Sequence, residues 1–387
     1  MNLRDELESV LRAWHLYEVN RGSAAVIDFD CHPTTDSIQP AGSRLEVYRR
    51  LQELRGRADD YRTPHVAARL NADLAYLGSL LGERPPFAAY VRATQGCGAA
   101  GWSDEYVRER GEIARAALAD VGVAWGPDTD KEFRAVEGPI DTADAPDAIR
   151  AAVDTYEKAV RRETGSDAPF ELTIETADVD AYWAYWLDGV GDQVRLRLNL
   201  RQATFTEVAA RQFALHEVLG HGLQGASWSA RCASEDVPWV RLMSVHANQQ
   251  VLLEGLAQAL PLFIAPDDQL LITRVRLDHY TQLVRGELHL AINSGATIQE
   301  CAEHVRARVP YWTDAQISDF LTDRGANPQL RSYLWSYPTG IDWFGNLADA
   351  DDAAIQAVLT ATYRDPLSPE DLRELWPTGP AFGGYKP

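Results

Sequence analysis

Two histidines and a glutamate lie close together in one apolar stretch of the chain. Residues 213–224 form this stretch, which contains His216, Glu217 and His221. Zinc hydrolases use neutral imidazoles as metal ligands and a glutamate that takes a proton from a water at the metal. The residue types therefore favour a zinc site in which His216 and His221 are ligands and Glu217 is the general base.

The spacing of the two histidines is unusual for such a site. Zinc motifs commonly place two histidines four residues apart, on one helix face. His216 and His221 are five residues apart, which separates them by roughly 140° on a regular α-helix. A π-type bulge near Leu219 and Gly220 would return both to one face, and Gly220 would ease the distortion. We therefore predict a locally widened helix over residues 213–222. The alternative is a regular buried helix whose histidines have structural partners.

A third ligand is predicted from a second apolar stretch. Residues 252–258 contain a single carboxylate, Glu254. Burying a lone carboxylate is unfavourable unless it is paired or bound to a metal. Two histidines and one glutamate with an open fourth position make a catalytic zinc set, so the predicted cofactor is Zn²⁺ on His216, His221 and Glu254. His246, about two turns before Glu254, is a further candidate for the site.

Composition and charge limit the classes of partner. The chain has 387 residues, of which 45% are hydrophobic, enough for one large domain or two ordinary ones. Its 37 Lys and Arg against 57 Asp and Glu give a net charge of -20, which disfavours nucleic acid and anionic membranes. No apolar run reaches the ~18 residues of a membrane span, and the first residues do not resemble a signal peptide. We expect a cytoplasmic protein with reduced cysteines.

Hydrophobic periodicity predicts a mainly α fold with a small antiparallel β hairpin or sheet before the zinc helix. Residues 170–175 alternate as in a strand, and residues 182–187 and 194–200 flank glycines that predict a hairpin turn. The edge of this ribbon is a candidate for main-chain pairing with an extended substrate, or it is purely structural. Residues 1–165 form an N-terminal helical region and residues 166–387 a zinc-binding region, combined in one integrated domain.

Asp28, Asp30, Cys31 and His32 lie together in a turn-rich segment. These residue types can ligate a metal, but they lack the spacing of a helical or ribbon site. Turn and capping hydrogen bonds account for such a segment more simply.

Four segments resemble, in order, the landmarks of a large bacterial family of unknown function. They are residues 215–224, 254–257, 290–295 and 332–345. The family has an H-E-x-x-P-G-H-H-x-Q helix, then E-G-W-A, V-D-T-G and a Tyr-containing Pro-Gly-Gln region. Its fold is similar to the Taq-type carboxypeptidases, which are gluzincin-like metallopeptidases. The resemblance implies a mostly α fold with a deep channel, a zinc site and peptidase-like chemistry. The H-E-x-x-x-H spacing itself also resembles that of dipeptidyl peptidase III.

Several positions depart from this family. It has His, Tyr, Arg and Tyr where this chain has Gly222, Ala259, His289 and Phe344. The missing groups are ones that polarise a carbonyl or hold a peptide end, so ordinary peptidase activity does not follow from the resemblance. Phe344 cannot donate a hydrogen bond. The candidates to replace it are Tyr337 and Tyr333 on the same segment, and His289.

These observations predict a zinc-dependent hydrolase that acts on an amide or peptide bond. The substrate would be a small molecule or an unfolded peptide. Glu217 would be the base, and Tyr337 or His289 would polarise the carbonyl. Two alternatives stay open: a zinc enzyme of specialised metabolism that has lost peptidase activity, and a non-catalytic scaffold stabilised by zinc. The sequence leaves the oligomeric state open.

Overall fold

The structure, a computed structural model, describes residues 2–180 and 184–384. It is mainly α with one small sheet, as the periodicity predicts. The helices are α1 (Leu3–Asn20), α2 (Arg44–Arg57), α3 (Pro64–Leu80), α4 (Phe87–Gln95), α5 (Asp104–Asp120), α6 (Thr129–Val136), α7 (Ala145–Thr164), α8 (Glu207–Phe213), α9 (Leu223–Ser234), α10 (Gln250–Ile264), α11 (Gln269–Asn293), α12 (Ile298–Arg308), α13 (Asp314–Gly325), α14 (Pro328–Tyr333), α15 (Ser336–Leu347), α16 (Asp352–Arg364) and α17 (Pro369–Leu375). None of these helices is long and apolar enough to cross a membrane.

Short polar side chains set the first residues of several helices. Ser103 accepts a hydrogen bond from the Tyr106 N–H at the start of α5. Thr206 accepts one from the Ala209 N–H at the start of α8, and its hydroxyl donates to Glu137 at 3.0 Å. Each cap contributes about 1 kcal/mol. The Thr206 cap therefore fixes where the histidine-bearing helix begins.

The sheet is mixed rather than purely antiparallel. Its strands are β1 (Phe29–Asp30), β2 (Glu171–Ala177), β3 (Tyr185–Val190), β4 (Gln193–Asn199) and β5 (Leu242–Met243). The predicted hairpin is confirmed: β3 and β4 pair antiparallel around a turn at Gly191, whose φ of 64° suits glycine. However, β2 pairs parallel to β4, giving the order β2-β4-β3-β1-β5. Tyr182, which we predicted to begin the hairpin, lies outside the described residues.

This order changes which strand has a free edge. β4, the strand directly before the histidine-bearing helix, lies between β2 and β3 and is paired on both sides. β3 pairs with β4 on one side and, through Gly189 and Val190, with β1 on the other side. Within the described part of the chain, residues 185–188 have no strand partner on that side. β4 therefore has no free edge. β2 is an outer strand of the sheet, but the stretch of β3 that begins at Tyr185 is the edge that reaches the cavity wall.

The segment around Asp30 forms turn and strand contacts. The Asp30 carboxylate accepts hydrogen bonds from Arg12 and from the His32 N–H, both at 3.0 Å. Phe29 pairs with β3 and packs against Gly225, where an added Cβ would lie 2.9 Å from the Phe29 ring. Turn and ion-pair contacts thus account for Asp30 and the His32 backbone, as the simpler interpretation had it, whereas the buried Asp28 Oδ2 has no hydrogen-bond partner.

The largest apolar core lies between the sheet, α7 and the histidine-bearing helix. Ile149 of α7, Leu198 of β4 and Leu219 are fully buried within it. These residues come from both regions predicted from the sequence, 1–165 and 166–387. The apolar contacts hold the helix rigidly against the sheet, which is what positions its polar face.

A close contact between two glycines brings α10 against α15. A Cβ added to Gly255 would lie 2.4 Å from the Gly340 Cα, so neither position accepts a side chain without a shift. The two backbones therefore approach more closely than side chains would allow. This contact places Glu254, which precedes Gly255, opposite Tyr333 at the end of α14 and Tyr337 near the start of α15.

Candidate metal centre

The helix that carries the two histidines is widened at the predicted place. Residues 207–234 are helical throughout, but Ala214–Gly222 form π-helix between α8 and α9. The Leu223 N–H donates to the Val218 carbonyl, five residues earlier. Because hydrogen bonds of this span bring residues five apart onto one face, His216 and His221 point the same way. Their Nε2 atoms are 3.2 Å apart, which confirms the predicted widening.

Gly220 allows this segment to pack tightly. A Cβ at Gly220 would lie 2.8 Å from the Leu215 carbonyl oxygen and 3.1 Å from the Ala257 Cβ of α10. The glycine thus serves the approach of α10 as well as the widened turn. Gly222 meets β4 in the same way, because its Cβ would be 2.7 Å from Val194. The histidine that the resembling family has at this position would clash with the sheet.

Glu254 supplies the third ligand atom. One carboxylate oxygen lies 3.6 Å from the His216 Nε2, and the other lies 3.9 Å from the His221 Nε2. Two ligands bound at about 2.0–2.1 Å to a tetrahedral zinc are roughly 3.3 Å apart, so these separations suit one ion. In residues 2–180 and 184–384, this is the one group of three such side chains that could hold a metal ion.

The unpaired atoms of this cluster fit a cation. Glu254 is 4% exposed, and its Oε2 atom is buried with no hydrogen-bond partner. Burial would raise the pKa of Glu254, but the neighbouring His216, His221 and Tyr333 outweigh it and lower the pKa to about 2. Burial has the opposite effect on an imidazole and lowers the pKa of His221 to about 4. The site thus contains a carboxylate and a neutral imidazole, the forms that bind metals.

Glu217 lies beside the cluster and lines the adjoining cavity. Its Oε1 is 3.7 Å from the His216 Nε2, and its side chain is 6% exposed. Burial raises the pKa of Glu217 to about 7, with a further upward contribution from Glu254 and a downward one from His216. A carboxyl group at the cavity wall, next to the ligands but separate from them, has the position of a general base.

Tyr333 and Tyr337 take different places at the site. The Tyr333 hydroxyl donates to Glu254 Oε1 at 2.5 Å and lies 2.8 Å from the Tyr337 hydroxyl. Since the Tyr333 proton goes to Glu254, Tyr337 is the donor in the second contact. Tyr337 lines the cavity. Tyr333 therefore holds the Glu254 carboxylate, a contact that the sequence did not indicate, and Tyr337 is the hydroxyl that faces the cavity.

The structure does not bring His289 to this cluster. Its ring is fully buried, 4.6 Å from the Phe87 ring centroid and 5.7 Å from that of Trp335. Burial lowers the pKa of His289 well below its ordinary value. Tyr337 lines the cavity, whereas His289 is not among the described residues of the cavity wall. We therefore withdraw His289 as the carbonyl-polarising group.

His246 is also engaged elsewhere. It lies 2.8 Å from the Asp73 carboxylate and stacks on the Tyr76 ring at 4.3 Å between centroids. Phe344, where the resembling family has a tyrosine, is fully buried in the apolar core. Neither residue reaches the cluster in the way that a ligand or donor would.

A cavity of about 400 Å³ opens in front of the cluster. This volume is in the range of small-molecule sites. His216, Glu217, Tyr185 and Tyr337 contribute to its wall, and polar side chains supply much of the remainder: Gln202, Gln212, Gln258, Gln282, Asp278, Arg134 and Arg274. The cavity is thus suited to a polar ligand with several hydrogen-bonding groups.

Sequence reasoning missed most of this wall. Gln258 lies four residues after Glu254 on α10, so helical spacing could have identified it. Gln212 donates to Asp278 at 2.7 Å, across a gap of 66 residues in the chain. Nothing in the local sequence pairs these two residues.

No protein-family model matches the chain, and comparison with curated proteins also finds no match. The resemblance to the bacterial family therefore stays a prediction. The cluster and its cavity are the features that bear on function.

Proposed function

We propose that this protein is a zinc-dependent hydrolase that cleaves an amide or peptide bond in a small substrate. The observation that carries the proposal is the position of Glu217, buried at the wall of the cavity next to three metal-ligand side chains. A metal site that served stability alone would need the three ligands but no fourth, uncoordinated carboxyl group beside them.

His216, His221 and Glu254 would hold the zinc and leave a further position open toward the cavity. A zinc ion bound there supplies Lewis acidity and makes water a nucleophile at neutral pH. Zinc is preferred over magnesium or calcium because two of the three donors are imidazole nitrogens, whereas those ions favour oxygen ligands.

Glu217 would carry the proton through the reaction. Its carboxylate accepts a proton from water as the water oxygen attacks the carbonyl carbon. The same carboxyl group then gives that proton to the leaving nitrogen when the carbon–nitrogen bond breaks. Burial, which raises the pKa of Glu217 to about 7, favours a group that exchanges its proton near neutrality.

Tyr337 would donate a hydrogen bond to the carbonyl oxygen as negative charge develops there. Its hydroxyl lies at the cavity wall, within hydrogen-bond distance of Tyr333. Moving its proton from the Tyr333 oxygen to a substrate oxygen requires rotation of one hydroxyl group. Tyr333 keeps Glu254 in place during this change, because its own proton stays on the carboxylate.

The dimensions of the site favour a small substrate. The cavity has room for a dipeptide or an acylated amino acid, and its wall is rich in amide side chains. The unpaired edge of β3 covers residues 185–188, which is enough for a few main-chain hydrogen bonds. Tyr185 packs edge-on against Phe213 at 4.8 Å and closes this side of the cavity.

The runner-up is a zinc enzyme of specialised metabolism that does not cleave peptides. Its support is that this chain has Phe344, which is buried in the core, where the resembling family has a tyrosine. A scaffold function is less favoured, because the buried Glu217 then destabilises the fold without a use.

The test measures zinc content and hydrolysis on the same preparations. We expect about one zinc per chain, and release of amine from dipeptides or N-acyl amino acids by the wild type. The Glu217→Gln variant should keep its zinc and lose this activity. A protein that holds zinc, hydrolyses none of these amides and melts at a higher temperature as Glu217→Gln would point to the scaffold instead.

A further inference from the structure

Two arginines near the cavity share one aromatic ring and lack a carboxylate. The Arg285 guanidinium carbon lies 4.6 Å from the Phe320 ring centroid and 5.5 Å from that of Trp312. The Arg324 guanidinium carbon lies 5.4 Å from the same Phe320 ring. Both guanidiniums thus contact the same ring, and their like charges repel each other.

Neither guanidinium has the partners that enclosed arginines normally have. In the described residues Arg285 donates no hydrogen bond, and Arg324 reaches one carbonyl, that of Phe320 in its own helix, at 3.4 Å. The Nε atoms of both are buried without a partner, and Arg324 is 4% exposed. By contrast, Arg69 and Arg274 each contact a carboxylate. An enclosed cation without a counter-charge is unfavourable, as is a buried ion whose partner has been removed.

The pair lies next to the proposed reaction space. Gln282 of α11 lines the cavity, and Arg285 follows three residues later on the same helix face. The turn that carries Tyr337 rests on α11 at this point, because a Cβ at Gly286 would lie 3.5 Å from the Pro338 Cβ. Both guanidiniums lie within electrostatic range of Tyr337, which is part of the cavity wall, although neither arginine lines the cavity itself.

The charges around the pair agree with this placement. Burial and, after it, the charge of Arg285 lower the pKa of Arg324 to about 9. Asp323 and Tyr337 act in the opposite direction. Burial likewise lowers the pKa of Arg285, with Asp278 the largest opposing charge. Asp278 lies beyond ion-pair distance from Arg285 and accepts a hydrogen bond from Gln212.

We propose that Arg285 and Arg324 form a binding site for an oxyanion group of the substrate, a carboxylate or a phosphate. Guanidinium groups match the geometry of both anions through paired N–H donors. That the anion belongs to a substrate rests on the proposed hydrolase function, whereas anion binding by the two arginines needs no metal. The site would select substrates whose cleaved bond lies a short distance from an anionic end, such as dipeptides or N-acyl amino acids.

The experiment measures anion binding by titration calorimetry, independently of turnover. The probes are hippurate, which is an acylated amino acid with a free carboxylate, its neutral amide hippuramide, and inorganic phosphate. Binding is measured to the wild type and to His216→Ala, in which the metal site is disabled. The test variants are Arg285→Met and Arg324→Met. Arg276→Met is the matched control, because Arg276 is on the exposed face of the same helix.

We expect hippurate or phosphate to bind the wild type and His216→Ala with similar affinity. Each test variant should weaken this binding about tenfold or more, as when one member of a buried charge pair is truncated. Arg276→Met should bind as the wild type does, and hippuramide should bind at least tenfold more weakly than hippurate. A preference for hippurate identifies a carboxylate ligand, and a preference for phosphate identifies a phosphorylated one.

Thermal melting separates lost binding from lost folding. Methionine removes an uncompensated charge while keeping most of the side-chain volume, so the test variants should melt at or above the wild-type temperature without anion. Arg285→Lys, which keeps the charge but not the paired donors, provides a second variant with the same expected loss of binding.

The inference is overturned if neither anion binds, or if both bind Arg285→Met and Arg324→Met as tightly as the control variant. Failure of the proposed hydrolase function has a different signature. In that case no amide is cleaved, but anion binding and its dependence on the two arginines persist in His216→Ala.

Discussion

Two buried carboxylates with similar neighbours, Asp342 and Glu254, use their oxygen atoms differently. Asp342 accepts hydrogen bonds from Trp102 at 2.7 Å, from Tyr106 at 2.6 Å and from His279 at 2.9 Å, so both its oxygens are satisfied. Glu254 accepts one from a tyrosine, but its nearest histidine nitrogen is 3.6 Å away and its Oε2 has no partner.

The comparison shows what separates a structural cluster from a site. Both clusters combine a buried carboxylate with histidine and tyrosine, residue types that sequence motifs cannot tell apart. The Asp342 cluster has hydrogen-bond distances, whereas the Glu254 cluster has the longer spacing of groups that share a cation. An open cavity and an unpaired oxygen accompany the second arrangement.

Removing a ligand should abolish metal binding, whereas removing the histidine of the paired cluster should not. His216→Ala or Glu254→Ala should reduce zinc from about one per chain to near zero after dialysis, because each substitution takes away one of three protein ligands. His279→Ala is the matched control and should keep its zinc. Elemental analysis of the purified variants provides the measurement, and full occupancy in both ligand variants would exclude the assignment.

Glu217→Gln should separate catalysis from metal binding. Glutamine fills the same space but cannot accept a proton, so kcat should fall about 10²–10⁴-fold while zinc content stays unchanged. The measurement is the rate of amine release from the best substrate found. Turnover at the wild-type rate would show that Glu217 is not the base.

The two tyrosines should differ in kind. Tyr337→Phe should lower kcat on the order of a hundredfold with zinc retained, because it removes the donor to the developing oxyanion. Steady-state kinetics with zinc in excess measures this effect. Equal kcat in Tyr337→Phe and wild type would mean that the metal alone polarises the carbonyl, and an activated bond would then be the better substrate.

Tyr333→Phe should act on the metal instead. Loss of a hydrogen bond to a ligating carboxylate typically weakens metal affinity about 10–100-fold. Competition with a chromogenic chelator measures this change, and Tyr337→Phe serves as the control with nearly normal affinity. If the two variants exchange these phenotypes, the Tyr333–Glu254 contact does not have the role assigned to it.

In metal-free protein, substitution at Asp342 should destabilise the fold more than substitution at Glu254. Asp342→Asn should lower the free energy of unfolding by about 1–3 kcal/mol, because buried donors lose their acceptor. Glu254→Gln should lower it less, since its Oε2 has no hydrogen bond to lose. Urea unfolding in the presence of a chelator compares the two variants. A larger loss for Glu254→Gln would show that the Glu254 cluster is itself a structural one.

The contribution of Asp342 should also depend on pH. Burial alone would raise its pKa, but the contacts with His279, Tyr106 and Trp102 lower it below the ordinary value of 3.8. Its stabilising contribution is therefore fully present above about pH 4 and is lost as the pH falls through the lowered pKa. The stability difference between wild type and Asp342→Asn should narrow over that acidic range.

Local patterns determined the core of the candidate site. The spacing of His216 and His221 requires a widened helix if both are to bind one ion, and the structure contains that π segment. Glu254 stands out as one carboxylate in an apolar run. The helices and the β3–β4 hairpin also follow from periodicity and turn glycines. Each of these inferences depends on residues close together in the chain, where helix and strand geometry fix relative positions.

The tertiary structure decided the rest, because it depends on contacts between distant segments. The parallel pairing of β2 with β4, which leaves β4 without a free edge, cannot be read from strand order. The Gly255–Gly340 contact decides that Tyr333 reaches Glu254 and that Tyr337 faces the cavity. Packing among aromatic rings encloses His289, which the resemblance to the bacterial family had suggested for the site. Side chains with equal chemical capacity thus acquire different roles through burial and partners, which only the packing of remote helices specifies.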